Sequence, residues 1–382
     1  MQEPTVNRVA GRPSVVIAIL TALTLLGFLA VGRLTNRFQQ QQKALARHLY
    51  QQGLAEQQAG KFDLALEHFR AALTYDRDNF HYQLSLARAL RDSGRTDEAE
   101  TYLISLWERA PQNGAVNLAL GRLAVRRKEL DKIIQYFHNA IYGVWDSTPE
   151  QNRLNAWFEL VEVLLRLNAH PQAQAELIAL SASLPPNSQQ LLRAADLFIQ
   201  AQDYEHALAE YRKVLQLDRT NAHAAAGAAQ GAFKLGRYRT AARYLEAASK
   251  ANPQDAQIAQ MRQVSNLILQ QDPFSRDLST VERQRRIRII FDEAGQRLDA
   301  CMNSKERQLS QSTQVDPLPP LKAQWARMRR RLIRLGRVGE SGLADQVMDL
   351  VLQIEQQTAV CGSTTQDEVL LLLAENRAGV EQ

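Results

Sequence analysis

One constraint dominates the chain: from Ala46 to Asp255 the same pattern of small and large residues returns every 34 positions. Gly60 and Gly94 stand 34 apart, and Lys128 takes the same place 34 later. Two places beyond come Phe62, Thr96 and Leu130, aromatic or aliphatic except for the threonine, and then Ala65, Ala99 and Ile133. Large side chains follow at Phe69, Leu103 and Phe137. A six-residue insertion, Thr148 to Arg153, interrupts the series. It resumes with Asn168, Ala173 and Leu177, then Gln202, Tyr204, Ala207 and Tyr211, then Gly236, Tyr238, Ala241 and Leu245. The runs between these turns are rich in Ala, Leu, Gln, Arg and Glu and lack the Val/Ile/Thr alternation of strands, which predicts helices almost throughout. A helical hairpin of this length cannot bury its apolar face alone, so neighbouring units must stack and share a core.

Six units fit, at about 46–79, 80–113, 114–147, 154–187, 188–221 and 222–255. Their spacing resembles the tetratricopeptide repeat, whose signature is a W-L-G-Y-A-F-A-P pattern. The match is degenerate in identity: the family's glycine in the first helix stands at Gly53 and Gly121 and is Ala87, Val161, Ala195 and Ala229 elsewhere. The resemblance covers a little over half of the chain. It implies an all-α fold, a superhelix of helical hairpins whose concave face is lined by the first helix of each unit and takes an extended peptide or a partner's helix.

On that geometry the fifth place of each unit faces the groove: Tyr50, Leu84, Leu118, Phe158, Leu192 and Ala226. Four places on stand Leu54, Arg88, Arg122, Glu162, Asp196 and Gln230, with Arg91, Arg126 and Glu159 near them. The groove is therefore expected to be basic in units two and three and acidic in units four and five. A fitting ligand is a protein or peptide whose acidic part lies over Arg88, Arg91, Arg122 and Arg126 and whose apolar side chains pack on Leu84 and Leu118. The alternative is that these are solvated faces of amphipathic helices. The family's carboxylate clamp requires Lys and Asn at set places in the first helices. Tyr50, Leu54 and Ser85 stand there, so chaperone-tail binding of that kind is not expected.

Ser14 to Gly32 holds 19 residues without a charge, bracketed by Arg8 and Arg12 before and Arg33 and Arg37 after. As a helix it spans roughly 28 Å, close to a hydrocarbon core of about 30 Å. A single membrane-spanning helix through residues 14–32 is the expectation. A cleaved signal peptide is the alternative, because Ala30-Val31-Gly32 has the small-x-small form of a cleavage site, although the apolar stretch exceeds the usual ~7–15 residues. Counting basic residues, with Arg8, Arg12 and the terminal amine before the span against Arg33, Arg37, Lys43 and Arg47 after it, slightly favours a cytoplasmic body. A short basic tail before one span is nevertheless the usual form of an anchor that exports the chain after it. The body is therefore expected outside the cytoplasm, in a periplasmic-type compartment, with a cytoplasmic body as the alternative.

Ala256 to Gln271 continues the helical pattern without completing a unit and is expected to cap the array, ending at Asp272-Pro273. The organisation is thus 1–37 for tail and membrane helix, 38–271 for the repeats and cap, and 272–382 for a small helical module. In that module one stripe runs through Ile287, Ile290, Phe291, Ala294, Leu298 and Cys301. A second runs through Leu321, Trp325, Met328, Leu332 and Leu335, and a third through Leu343, Val347, Leu350, Ile354 and Thr358 to Cys361. A last helix opens with Thr365-x-x-Glu368, the form of a capping box. Cys301 and Cys361 each end the stripe of their own helix. In an up-down-up arrangement those ends meet, so a disulfide is expected, with two buried thiols as the alternative; such a bond persists only in an oxidising compartment. The polar side of the second helix carries Arg327, Arg329, Arg330, Arg331, Arg334 and Arg337, and Arg283, Arg285, Arg286 and Arg288 crowd the first. Such arginine faces are most often solvated or paired with Asp and Glu of neighbouring helices; as a binding surface, anionic lipid is the natural partner, and nucleic acid is one only if the module faces the cytoplasm.

A net charge of +5 over 382 residues is mild and argues against a dedicated nucleic-acid binder. No Walker loop, GxSxG elbow or HExxH helix occurs, and GRVGESG at 336–342 lacks the strand and lysine that phosphate cradling needs. The seven histidines share no spacing, and no CxxC supplies metal ligands. No catalytic residue, metal or cofactor is expected, and the function predicted is that of a membrane-anchored adaptor for protein–protein interaction in the cell envelope; the alternatives are a cytoplasmic-facing protein whose Arg-rich C-terminal helices bind nucleic acid or anionic lipid, and an enzyme of unrecognised type.

Overall fold

The computed structural model describes residues 13–275, 277–306, 317–334, 342–362 and 364–375, with the backbone alone for 13–18, 305, 306 and 334. The repeats form six pairs of helices: α1 (Pro13–Gln58) with α2 (Phe62–Tyr75), α3 (Phe80–Asp92) with α4 (Thr96–Arg109), α5 (Gly114–Arg127) with α6 (Leu130–Ile141), α7 (Pro149–Arg166) with α8 (His170–Ser183), α9 (Ser188–Gln200) with α10 (Tyr204–Leu217), and α11 (Ala222–Lys234) with α12 (Tyr238–Ala251). After these come α13 (Ala256–Gln271), α14 (Thr280–Glu306), α15 (Leu318–Arg334), α16 (Leu343–Thr358), a 3₁₀ turn (Ala359–Cys361) and α17 (Thr365–Glu375). The fold is all-α. Among the described residues the only β-type pairing is one isolated bridge, Asn113 to Val144, at the insertion.

Local chemistry explains the period. Between the helices of each pair one residue adopts the left-handed conformation: Gly60, Gly94, Lys128, Asn168, Gln202 and Gly236, with φ of 75, 86, 58, 57, 59 and 71°. These are the six turn positions of the sequence pattern, and the residue after the helix must reverse there to turn the chain. The first helices of the later units begin on side-chain caps that the sequence pattern did not reveal. Asn79, Asn113, Asn187, Asn221 and Asp255 accept backbone N–H groups at the starts of α3, α5, α9, α11 and α13.

The hairpins are held by a match of volumes. Ala65, Ala99, Ile133, Ala173, Ala207 and Ala241 are buried, as are Phe69, Leu103, Phe137, Leu177, Tyr211 and Leu245. A Cβ on Gly53 would fall 2.7 Å from the Phe69 ring, and one on Gly121 would fall 2.7 Å from Phe137. Where the large residue is Leu103 or Leu177, the facing place of the first helix holds Ala87 or Val161 instead. Phenylalanine therefore goes with glycine and leucine with a larger partner, which keeps the packing between helices filled. Unit five departs from the rule: Tyr211 stands with Ala195, and its ring occupies the space beside Gly227 of the next unit.

Two compact units divide the chain between Leu160 and Val161. In the first, α1 runs without a break through the boundary expected at 37/38, and Ala46 is its first buried residue in the described structure. Residues 19 to 38 of α1 leave their large apolar side chains exposed, Phe28 and Leu34 most of all. In the second unit no packing boundary lies at 271/272. Tyr238, Val264 and Ile268 share one apolar cluster with Ile287, Phe291, Val347, Leu370 and their neighbours, because α13 turns its outer face to the later helices. Arg286 reinforces the join by donating to the carbonyl of Asp272 at 2.9 Å. Leu335, Gly336, Arg337 and Gly339 lie outside the described residues.

Cys301 and Cys361 are joined as a disulfide with Cα atoms 5.6 Å apart, tying α14 to the turn after α16. Beside it Arg297 is half-buried and fully engaged. Its Nε is 3.0 Å from Glu355 and donates to Thr358 Oγ1 at 2.6 Å, its Nη2 donates to the Gly362 carbonyl at 2.8 Å, and its Nη1 pairs with Asp367. The capping box expected at Thr365 and Glu368 forms one residue earlier. Thr364 N–H and hydroxyl both donate to Asp367, whose own N–H donates to the Thr364 hydroxyl, because Arg297 draws that carboxylate inward.

The hairpin packing and the buried carboxylate each carry a measurable consequence. Gly121→Ala, ordinarily stabilising in a helix, will destabilise the chain by about 1–3 kcal/mol through overlap with Phe137. Phe137→Leu in the same chain will recover much of the loss, and a double-mutant cycle by urea unfolding measures the coupling. The second consequence concerns pH: burial pushes the Glu355 carboxyl up from 4.5 to about 7, with Arg297 opposing and Asp367 and Glu293 adding. The folded state thus holds a proton that the unfolded chain has released. The associated stability is present below about pH 4.5 and is lost as pH rises through about 7. Amide exchange in α16 and α17, corrected for intrinsic rates, will show opening easier at pH 8 than at pH 5, and Glu355→Gln will flatten that difference.

Candidate functional site

The first helices carry a register of charges that the repeat period fixes. The ninth place of one unit lies beside the sixth place of the next. Arg122, ninth in unit three, makes a two-pronged bond to Glu159, sixth in unit four, with both contacts at 2.7 Å. Glu162, ninth in unit four, accepts from Arg193, sixth in unit five, at 2.5 Å. The same rung is thus built with either polarity.

Arg88, ninth in unit two, breaks the series. The sixth place of the next unit is Ala119, so no carboxylate stands where Glu159 serves Arg122. Arg88 makes no ion pair or hydrogen bond among the described residues, and its Nε is buried without a partner. Burial pushes its guanidinium down from its ordinary value, and Arg122 and Arg91 push the same way. Arg91 is held by Asp92 through contacts of 2.9 and 2.7 Å, while one of its own nitrogens, Nη1, is also buried and unpaired. Three arginines, Arg88, Arg91 and Arg122, thus meet two carboxylates, Asp92 and Glu159, leaving one positive charge uncompensated. Tyr50 stands close by, stacked on Tyr82 with ring centroids 4.5 Å apart and its hydroxyl 3.1 Å from Ser85 Oγ.

The apolar half of the expected groove is corrected. Leu84, Leu118 and Phe158 are only 4, 8 and 2 % exposed. Leu84 packs in one cluster with Leu103, Val116 and Leu120, so it stabilises the stack and offers little surface to a ligand. Tyr50 and Leu192 are half-buried, and Arg126 is exposed. The expected field of four arginines is smaller than its sequence count, since Glu159 occupies Arg122. Sequence reasoning missed this pairing although it named both residues; the signal was the 37-residue separation, one period plus the insertion less three places.

On α15, Arg327 and Arg330 are exposed, and Arg331 donates to Gln346 at 2.8 Å. The Arg334 side chain lies outside the described residues. On α14 the expected basic surface is partly consumed, since Glu282 binds Arg285 and Arg286 and is held down to about 2 by those bonds.

The family profile described as Tetratricopeptide repeat matches residues 56–123 and 198–264. The chain is 26 % identical over 181 residues to a putative cellulose synthase operon protein C of Escherichia coli O157:H7, a match that covers 47 % of this chain and 16 % of that protein's length. Among solved structures, Pseudomonas aeruginosa pilF is similar over 58 % of this chain and 98 % of its own, with 19 % identity and a TM-score of 0.39. The C-terminal part of a repeat protein from Cytophaga hutchinsonii covers 63 % of this chain and 93 % of its own, with 11 % identity and a TM-score of 0.43.

A half-buried guanidinium without a counter-ion, its Nε shielded and unpaired, is a cost that packing alone does not offset. Replacing it by Arg88→Met will raise the chain's stability by roughly 1–3 kcal/mol in urea unfolding. A drop in stability on this change would mean that Arg88 is already satisfied.

Proposed function

We propose that this chain of tetratricopeptide-type repeats is a membrane-tethered scaffold that holds an acidic segment of a partner protein on the first helices of units two and three. The observation that carries the reading is Arg88, a shielded cation whose rung partner is absent. A carboxylate from outside supplies the missing half. It replaces water with a charge-assisted, two-pronged bond in a place already partly dry, so its desolvation is matched by a strong contact. The half-buried Tyr50, its hydroxyl held by Ser85, adds a neutral hydrogen-bonding group beside it. Arg91 and Arg122, each engaged by one carboxylate, contribute field and keep the site positive.

The tether rests on the exposed apolar start of α1, which is long and apolar enough to cross a membrane and also fits a signal sequence. An uncleaved anchor raises the local concentration of whatever the repeats hold. The Cys301–Cys361 bond supports a body outside the cytoplasm, where such bonds persist. The relative from a cellulose synthase operon, similar over a small part of its length, is in keeping with a role in the cell envelope.

Two measurements test this. A membrane-impermeant thiol reagent applied to intact cells will label the chain only after reduction, at the exposed Cys361; labelling that needs lysis and no reductant places the body in the cytoplasm. For the site, a dye-labelled acidic pentapeptide, acetyl-Asp-Leu-Glu-Leu-Asp-amide, will bind the detergent-solubilised full chain. Arg88→Met, folded and at least as stable, will weaken that binding about tenfold or more. Equal binding by the two proteins would remove Arg88 from the site.

A further inference from the structure

The fifth place of the first helix holds a bulky side chain in five units and Ala226 in the sixth. Around it α11 reads AHAAAGAAQGAFK, a helix almost without side-chain volume over three turns. What a leucine or aromatic ring would fill is left as a cavity of about 470 Å³, with Ala222, Ala226 and Gly227 on its floor and Ile199, Ile258 and Met261 among its walls. Gly227 has no freedom to close it, because any Cβ there would overlap the Tyr211 ring. All of these residues belong to the second compact unit.

The polar part of the lining holds two carboxylates among His223 and the neutral Gln200, Gln230, Asn252 and Gln257. Asp196 and Asp255 contribute to it, and no lysine or arginine does. Asp196 holds the ninth place of unit five, where the register calls for a cation at the sixth place of unit six. That place is Gly227, so the arginine rung is missing here, with the opposite sign to the one at Arg88, and His223 from the second place of unit six takes one side of the carboxylate instead. The Asp196 carboxylate is nevertheless fixed: Oδ1 accepts the Tyr211 hydroxyl at 2.6 Å and lies 2.9 Å from His223 Nε2. Asp255 is fixed likewise, its Oδ1 accepting the backbone N–H groups of Gln257 and Ile258 at the start of α13. In both residues Oδ2 makes no hydrogen bond among the described residues.

We propose that this cavity receives a lysine or arginine side chain of a partner polypeptide. The aliphatic stem lies on Ile199, Ile258 and Met261, and the cationic head reaches the unused oxygens of Asp196 and Asp255. Apolar walls with two acidic groups suit such a side chain better than a bare divalent cation, which needs six or more oxygen ligands. The volume accommodates the side chain together with adjoining backbone. The proposal rests on the partner-binding reading of the repeats, at a second place and with the opposite charge from the Arg88 site.

The test uses the full chain in detergent and two dye-labelled peptides, acetyl-Ala-Leu-Arg-Leu-Ala-amide and the same peptide with neutral citrulline for arginine. Anisotropy titration is expected to show the arginine peptide binding about tenfold more tightly. Ala226→Leu, which places methyl groups in the hollow, and Asp196→Asn, which removes the charge and keeps an acceptor for Tyr211, will each abolish that preference. Equal affinity for arginine and citrulline, or an undiminished preference in an Asp196→Asn protein with a wild-type melting profile, would falsify the assignment. Because Ala226→Leu risks disturbing α11, Asp196→Asn decides if the first variant misfolds. The acidic pentapeptide is titrated alongside. If it binds through Arg88 while arginine and citrulline are not distinguished, the cavity assignment alone falls; if neither peptide binds, the partner-binding reading falls with it.

Discussion

The structure depends on how closely the two helices of a hairpin approach, and that distance is set by one residue from each. Phe69 and Phe137 have room because Gly53 and Gly121 carry no Cβ, whereas Leu103 and Leu177 leave space that Ala87 and Val161 fill. A change on one helix without its complement opens a void or forces an overlap, and both are costly in a close-packed interior. The left-handed residue at each turn serves the same end. It reverses the chain within a few residues and so brings the two helices together at the spacing the side chains need. Once that spacing is fixed for every hairpin, the first helices present their ninth and sixth places to one another at regular intervals. The ion-pair register therefore follows from the packing.

That register gives meaning to its gaps. Arg122 with Glu159 and Arg193 with Glu162 show that the rung forms with either polarity when both residues are charged. Arg88 opposite Ala119 and Asp196 opposite Gly227 are therefore positions where half of an otherwise complete interaction has been kept. A lone exposed charge means little, since solvent screens it. A charge held in a place where neighbours show it paired, with its atoms shielded or already fixed by other bonds, is predisposed to take an external partner. Proteins commonly pay for binding sites in this way, with local instability that a ligand relieves.

Much of this was legible in the sequence because periodicity transmits packing directly. The turn residues, the buried alanines and the large residues of the second helices all appear at their places in the 34-residue count, and the cysteine ends of two apolar stripes foretold which residues lie together. What was not legible depends on direction. Leu84, Leu118 and Phe158 occupy the row expected to face a ligand, yet the closeness of neighbouring hairpins turns them into core. The domain boundary at Asp272-Pro273 is plain as a break in helix but not as a break in packing, because the apolar face that α13 presents is covered by helices far along the chain. The pairing of Arg122 with Glu159 was hidden by the insertion, which shifts the spacing from 31 to 37 residues.

The insertion also explains why the structure can absorb six extra residues without losing its register. Trp145 packs against Gly114, where a side chain would collide with its ring, and its indole N–H donates to the Ala140 carbonyl at 2.9 Å. Val144 and Gly114 join the segment to the start of α5 through a 2.8 Å backbone bond, with a second of 2.8 Å from Val144 to Gln112. The additional residues are thus drawn into a short bridged corner and a longer α7, so that Glu159 still arrives opposite Arg122. Had the insertion rotated the following helix by even one residue, about 100° of helical turn, that carboxylate would have faced elsewhere. Two unpaired arginines would then stand beside Arg91. The preservation of this rung across an interruption in the period makes the open place at Arg88, one unit earlier and in uninterrupted sequence, a property of the residue at 119 and not of imperfect stacking.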